Sequence, residues 1–259
     1  MNHGLAYLAH DFARFYDWTH DGLEDDIPFY VTMARRYCGP ALELACGTGR
    51  LTIPLARKGI RVTGIDISPE MLRIAEMKLS QEAAEVRDRV RLLQGDMRDF
   101  DLGEAANLVF IPAASFFHLH AECEQTSCLS CVHRHLPPRG ALVIDLIPAE
   151  RMANQVVGET HTVRSGVCSA TGKMTQELNR KLSIDESAQR VTVEHTYAEA
   201  ESDGSEKRYV FVQDYTWVTE SQMRGLLRKA GFKDASIFGG YDFQPFGSES
   251  ARMIFLAEK

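Results

Sequence analysis

The residues best placed to do chemistry lie in one short run, Glu43 to Gly49, and at one acid beyond it, Asp66. Glu43 sits in Ala41–Ala45, an apolar run long enough for a single buried strand. Cys46-Gly47-Thr48-Gly49 follows as a turn with two permissive positions. Leu51, Ile53, Leu55 and Ala56 then have the spacing of an opening helix. Strand, glycine turn and helix in that order bring backbone N–H groups and a positive helix end close to a ligand, because no Cβ stands in the way. Asp66 ends the next apolar run, Ile60–Asp66, about twenty residues on, where a doubly wound nucleotide-binding fold places its ribose ligand. A carboxylate there offers two acceptor oxygens to two adjacent hydroxyls. The dinucleotide fingerprint is incomplete, since Thr52 stands where its third glycine would fall. No diphosphate cradle is evident.

Such a turn needs a sheet behind it, and the rest of the chain supplies one. Pro69 opens a helix with Ser68 as its cap, and Met71, Leu72, Ala75 and Leu79 form the buried face. Val90–Gln94 and Ala106–Ile111 read as the third and fourth strands. Ala121–Leu136 reads as a helix stopped by Pro137-Pro138, and Ala141–Ile147 as a fifth strand, almost wholly apolar. Strands alternating with helices imply a parallel sheet covered on both faces. From about Gly158 to Val218 the period changes to two. Alternating runs at Met174–Leu182, Val191–Tyr197 and Tyr209–Trp217 are separated by turn-formers, which implies an antiparallel meander. Helix returns at Thr219, where Thr219 and Gln222 form a capping box and Gly231 ends it. Phe232–Phe238 and Arg252–Ala257 are the last strands. Ahead of the first strand, Tyr7, Phe12, Phe15, Tyr16 and Trp18 make an aromatic segment, and Asp26 is placed to cap a helix carrying Ile27, Tyr30, Val31 and Ala34 on one face.

The chain has 259 residues, 44% of them apolar and 25% charged, which suits one globular domain with a decoration. A net charge of −7 argues against a broad nucleic-acid surface. No apolar run is long enough to span a bilayer, so no membrane partner is expected. Met1-Asn2-His3-Gly4 lacks a basic region followed by an apolar core, and six cysteines without a secretory signal read as reduced thiols in a cytoplasmic protein.

The run Glu43 to Gly49 resembles the first motif of the class I S-adenosylmethionine-dependent methyltransferases, acidic-x-x-x-Gly-x-Gly. The resemblance continues through Asp66-Ile67-Ser68-Pro69-Glu70-Met71-Leu72 and Gln94-Gly95-Asp96-Met97-Arg98-Asp99-Phe100, in the family's order and spacing over residues 40 to 147. It implies an α/β fold, a doubly wound seven-stranded Rossmann-like sheet with an inserted antiparallel β-sheet and an N-terminal helical lid. The segments would be 1–38 for the lid, 39–150 for the cofactor core, 151–218 for the insertion and 219–259 for the last helix and strands. It implies S-adenosyl-L-methionine as cofactor and S-adenosyl-L-homocysteine as product. Glu43 and the turn residues Ala45, Cys46, Gly47 and Gly49 would meet the methionine part, and Asp66 the ribose. Asp96 and the Met97 N–H would meet the adenine edge, with Ile67 and Met71 on its faces. Ile111 ends the fourth strand beside the methyl, and Tyr16, in Phe15-Tyr16-Asp17, would reach the cofactor from the lid. The loop Pro112–His118 lies where the family has its catalytic loop, without the Asn-Pro-Pro-Tyr or Asp-Pro-Pro-Tyr signature of enzymes acting on nucleobase or glutamine amide nitrogens.

In that reading Phe116 and Phe117 wall an acceptor pocket and His118 can take a proton near neutral pH. Tyr215 shares one face of its strand with Tyr209, Phe211, Gln213 and Trp217, a face suited either to a pocket wall or to packing. The acceptor would be a small molecule methylated on N, which the acidic N-terminal segment favours, or on O. A macromolecular acceptor and a non-catalytic cofactor-binding scaffold are the alternatives. The protein would be a monomer or a homodimer. Cys123-x4-Cys128-x2-Cys131-x-His133-x-His135 has the residue types of a zinc site, but on a helix Cys128 and His135 are about 10 Å apart along the axis. No metal is therefore expected.

Overall fold

The computed structural model describes residues 10–153 and 156–259; Tyr7 and the Met1–Gly4 run lie outside them. In chain order the elements begin with α1 (His10–His20), α2 (Ile27–Arg36), β1 (Ala41–Leu44), α3 (Thr52–Arg57) and β2 (Val62–Asp66). Next come α4 (Pro69–Ser80), α5 (Ala84–Arg87), β3 (Val90–Gln94), β4 (Leu108–Ile111), α6 (Glu122–His135), β5 (Ala141–Leu146) and α7 (Ala149–Ala153). The chain ends with β6 (Thr160–Val167), β7 (Met174–Asp185), β8 (Arg190–Ala200), β9 (Glu206–Thr216), α8 (Glu220–Lys229), β10 (Ser236–Phe238) and β11 (Met253–Glu258). These elements form two compact units. One joins the segment up to Gly22 with Glu150–Trp217, the other Leu23–Ala149 with Val218–Lys259.

The larger unit carries a seven-stranded sheet in the order β10-β11-β5-β4-β1-β2-β3. Strands β1 to β5 pair with one another in parallel, as their alternation with helices requires. β11 departs from the all-parallel expectation and runs antiparallel to both β5 and β10. No helix separates β10 from β11, and an antiparallel pair needs no crossover. Central strands β1, β4 and β5 are buried at every position, which is why they read as apolar runs broken only by Glu43 and Asp145. On one face, Phe29, Tyr30 and Met33 of α2 and Leu55 of α3 share a core with Val62, Phe110, Val143 and Ile254. Tyr30 lies over Phe110 with ring centroids 4.8 Å apart. Gly64 lets the turn after β1 close down on β2, since a Cβ there would stand 2.8 Å from Cys46 Sγ.

Local capping follows the sequence at two helices. Ser68 accepts from the Met71 N–H at 3.3 Å, and Thr219 and Gln222 cap each other's backbone at 2.8 and 3.3 Å. Asp26 is a correction. It stands at the N-cap of α2, but its side chain makes no capping bond. Instead its two oxygens accept from Arg50 Nη1 at 2.9 Å and Nη2 at 2.6 Å. A bidentate charge-assisted pair is stronger than the neutral-donor bond of a cap, so the carboxylate turns to the guanidinium.

The smaller unit is the expected meander, with strand order β6-β7-β8-β9, all antiparallel. Helix α1 belongs to this unit, whereas α2 belongs to the larger one. The aromatic residues of α1 cover the inserted sheet: Phe15 stacks on Tyr197 at 4.3 Å and Phe12 meets Phe211 edge-on at 5.3 Å. Phe15, Trp18, Cys168 and Tyr197 form its buried cluster, with Tyr209 and Phe211 packed against it. β7 buries its polar set, Thr175, Glu177 and Lys181, while Met174 is exposed. The pairing register shifts between Lys181 and Ser183. Polar groups can be buried on this side because partners reach them. Arg14 of α1 donates to Glu199 at 3.0 Å, and Lys181 donates to the Met152 carbonyl at 2.7 Å.

Phe15 is fully buried, so Phe15→Ala should destabilise the smaller unit by about 3–5 kcal/mol, the transfer term plus the cavity left behind. Hydrogen exchange of β8 amides would show it as lost protection. Unchanged protection would mean that α1 does not hold the sheet.

Candidate functional site

The glycine turn is held from two sides. Ala45, Gly47 and Gly49 all have left-handed backbones, with φ of 59°, 55° and 76°. Two glycines remove that strain at two of the three positions. A Cβ on Gly49 would also press on Ile53 at 3.3 Å. Asp66, at the end of β2, accepts from the Gly47 N–H at 2.7 Å through Oδ2 and from the Ser68 N–H at 2.8 Å through Oδ1. Burial pushes the Asp66 carboxyl up, while these backbone donors pull it back. A third backbone donor, the Ile67 N–H, also bonds this carboxylate. The helix after the turn, α3, is only six residues long, so the positive helix end expected there is short.

Glu43 lies beneath the turn, buried to 2% exposure, and accepts from the Thr52 hydroxyl. Burial raises its carboxyl to about 8, with the Thr52 bond and the Arg50 charge opposing. Above the turn, Arg50 donates to Asp26 and to the Leu23 carbonyl at 3.0 Å, joining the chain ahead of α2 to the glycine turn.

Asp96 and Met97 follow β3 as expected, but Asp96 already has a partner. Arg98 reaches it with Nε at 2.9 Å and Nη2 at 2.6 Å and also donates to Glu124. Burial alone would raise the Asp96 carboxyl, yet the Arg98 hydrogen bonds and charge outweigh it and the net shift is downward. Met71 and Ile111 are buried and Ile67 is half-buried.

The loop after β4 is the most constrained segment. Ala113 and Ala114 are both left-handed, with φ of 54° and 58°. A short 3-10 turn, Ser115–His118, follows. Phe116 and Phe117 are fully buried and present no surface to solvent, whereas His118 is half-buried. Behind the loop stands Asp145 of β5, at 0% exposure. Its Oδ2 accepts from Tyr241 at 2.7 Å and from the Ala113 N–H at 3.1 Å, with Arg252 at 3.6 Å. Burial pushes this carboxyl up too, against Arg252 and the two hydrogen bonds. Asp145 Oδ1 and the Tyr30 hydroxyl are buried without a hydrogen-bond partner among the described residues. Asp26, Arg50, Tyr30, Asp145, Tyr241 and Arg252 were not singled out as site residues from the sequence. Only Asp145 left a signal, as a single charge inside an apolar strand.

Tyr16 and Tyr215 belong to the smaller unit. The Tyr16 ring stacks on His20 at 4.1 Å, and the Tyr215 hydroxyl lies 3.3 Å from His195 Nε2. Of the five residues sharing Tyr215's face, Tyr209 and Phe211 pack against the aromatic cluster beneath α1. In α6, Cys131 Sγ contacts the Phe100 carbonyl at 3.4 Å and His135 Nδ1 lies 2.9 Å from the Cys131 carbonyl. Among the described residues no three His, Cys, Asp or Glu side chains gather as a metal site. All six cysteines are unpaired; Cys46, Cys128, Cys131 and Cys168 are buried and Cys38 and Cys123 exposed.

The Glu43 shift carries a sign. Between the ordinary 4.5 and about 8, the folded chain holds a proton on Glu43 that the unfolded chain has lost. Stability therefore falls as pH rises through that window and levels off above it. Glu43→Gln should flatten this part of the curve of unfolding free energy against pH. A variant whose curve still parallels the parent's would show that Glu43 is ionised in the fold.

Residues 41–140 match the methyltransferase domain family. A cypemycin N-terminal methyltransferase from a Streptomyces species is 26% identical over 219 residues, 84% of this chain and 82% of that one. The fold is that of the sugar N-methyltransferase KedS8 from a Streptoalloteichus species, with a TM-score of 0.76 at 23% identity over 97% of this chain and 92% of that one. CalS10, an amino pentose methyltransferase from Micromonospora echinaspora solved with S-adenosylmethionine bound, aligns with a TM-score of 0.68 at 22% identity, over 93% and 91% of the two chains. A two-glycine turn, an acid at the end of β2 and the switch in strand order between β1 and β4 all suit a nucleoside. Residues 41–140 therefore carry a methyltransferase domain, and S-adenosylmethionine is the cofactor of this chain.

Proposed function

We propose that this methyltransferase acts on an amino nitrogen of a small molecule, an amino sugar or the N-terminal amine of a peptide. The observation that carries the reading is the end-to-end similarity to an N-terminal methyltransferase, 84% of this chain against 82% of that one. The similarity in fold to a sugar N-methyltransferase and an amino pentose methyltransferase supports it. S-adenosylmethionine supplies an activated methyl on a positively charged sulfur, which a nitrogen lone pair can displace.

The chain's own part is to bind and align. Gly47, Gly49, Ala45 and Cys46 would hold the methionine end, with Glu43 beneath them, and Asp66 the ribose hydroxyls. Asp96 and Met97 would hold the adenine edge between Ile67 and Met71, with Ile111 beside the methyl. An amine arriving deprotonated needs no base for attack, so His118 would serve to take up the proton lost afterwards. Alignment and exclusion of water account for most of the rate. In the larger unit, acceptor contacts would fall to the loop that bears Phe116 and Phe117. No helix among the described residues is long and apolar enough to cross a membrane. Six unpaired cysteines support a cytoplasmic protein. We take it to be a monomer or a homodimer.

Methyl transfer to dTDP-3-amino-3,6-dideoxyglucose and to a short peptide with an unblocked N-terminus, each against its hydroxyl counterpart, tests the reading. Methyl on nitrogen in either pair supports it; transfer only to the hydroxyl partners would overturn it. Asp66→Ala should weaken S-adenosylmethionine binding by about 1–3 kcal/mol in calorimetry. An unchanged affinity in a folded variant would remove Asp66 from the ribose site.

A further inference from the structure

Two consecutive left-handed alanines are costly. Each places Cβ against the following carbonyl, and nothing in an alanine side chain offsets it. Such backbones persist only where the surroundings over-determine them. Here one residue does so twice. Asp145 takes the Ala113 N–H on its carboxylate Oδ2 at 3.1 Å and the Ala114 N–H on its main-chain carbonyl at 3.0 Å. Its carboxylate is itself fixed, by the Tyr241 hydroxyl at 2.7 Å and by Arg252 at 3.6 Å. The loop then turns without a break: the Ser115 N–H donates to Pro112 and the Phe117 N–H to Ala114, at 3.0 and 2.9 Å. A single buried side chain thus sets the backbone from which the Ser115–His118 turn starts.

We infer that Asp145 is a positioning residue for methyl transfer, clamping the strained Ala113-Ala114 backbone so that the loop bearing His118 keeps one geometry. The inference rests on the amine methyltransferase reading for its consequence in catalysis, but not for the clamp itself. Tyr241 and Arg252 act through Asp145 and touch nothing else in the loop that the hydrogen bonds record. The clamp is a matter of angles and not of fold. Ala114 is tied to β5 through a main-chain bond that any residue at 145 would supply, whereas Ala113 is tied only by the side chain.

That difference gives the test. In Asp145→Leu, the Ala113 amide should exchange with solvent about tenfold faster or more, the effect of losing a charged hydrogen bond, while Ala114 and the amides of β4 and β5 change less. S-adenosylmethionine affinity should stay within about threefold of the parent, while kcat with the amino sugar nucleotide falls about tenfold. Asp145→Asn keeps an acceptor oxygen and should restore both the slow exchange and the rate. Adding Ala113→Gly to Asp145→Leu should recover part of the rate, because a left-handed glycine needs no clamp. If Asp145→Leu does not fold, Asp145→Ser, too short to reach the Ala113 N–H, takes its place. Unchanged exchange at Ala113 would overturn the inference. So would a loss of protection spread evenly over the sheet, with cofactor binding lost in step and no rescue by asparagine. A parent inactive on every amine counts against the reading of function alone, and the exchange measurement still decides the clamp.

Discussion

The hydrogen bond from the Gly47 N–H to Asp66 Oδ2 is the contact on which the larger unit's site depends. It joins the turn after β1 to the end of β2 at 2.7 Å. A single carboxylate thereby fixes the direction of the turn's N–H groups and its own orientation. Gly64 lets Cys46 and Thr52 approach β2, and Thr52 in turn donates to Glu43. Glycines, carboxylates and a threonine hydroxyl make one closed set, in which the turn shapes the acid and the acid shapes the turn. Moving any member would shift the others, because the interior leaves no slack to absorb the change.

This part of the molecule was legible in the sequence because its logic is local. A strand, a pair of glycines and an acid some twenty residues later lie on adjacent elements, and the Ser68 and Thr219 caps are decided within a few residues. What escaped notice lies far apart in the chain. Asp26 occupies a capping position, yet its partner Arg50 stands 24 residues away. Asp145 and Tyr241 are separated by 96 residues. In β7, Glu177 is bonded by Thr19 of α1 and Lys181 donates to the Met152 carbonyl, which no alternation of residue types announces. Sequence period reports which residues share a face, but not which face is covered.

The two units differ in how they spend polar residues. In the larger one, buried charges gather at the carboxyl ends of the strands, where Glu43, Asp66 and Asp145 are all pushed up by desolvation. Desolvation there favours the neutral acid, so these carboxyls hold the turn and the loop by hydrogen bonds more than by charge. In the smaller one, aromatic rings carry the packing and the polar groups are paired across strands and with α1. An insertion built this way can vary its polar residues without disturbing the sheet that binds the cofactor.

The cysteines, unpaired throughout, give the molecule a set of internal clocks. Cys46, Cys128 and Cys131 are sealed in the larger unit and Cys168 in the aromatic cluster of the smaller one, while Cys38 and Cys123 stand at the surface. A thiol reagent can reach a sealed sulfur only when its surroundings open. The surface pair would be consumed at once, and the order in which the rest follow would date the opening of each unit separately. This chain carries such a reporter in each half of its fold without any change to its sequence.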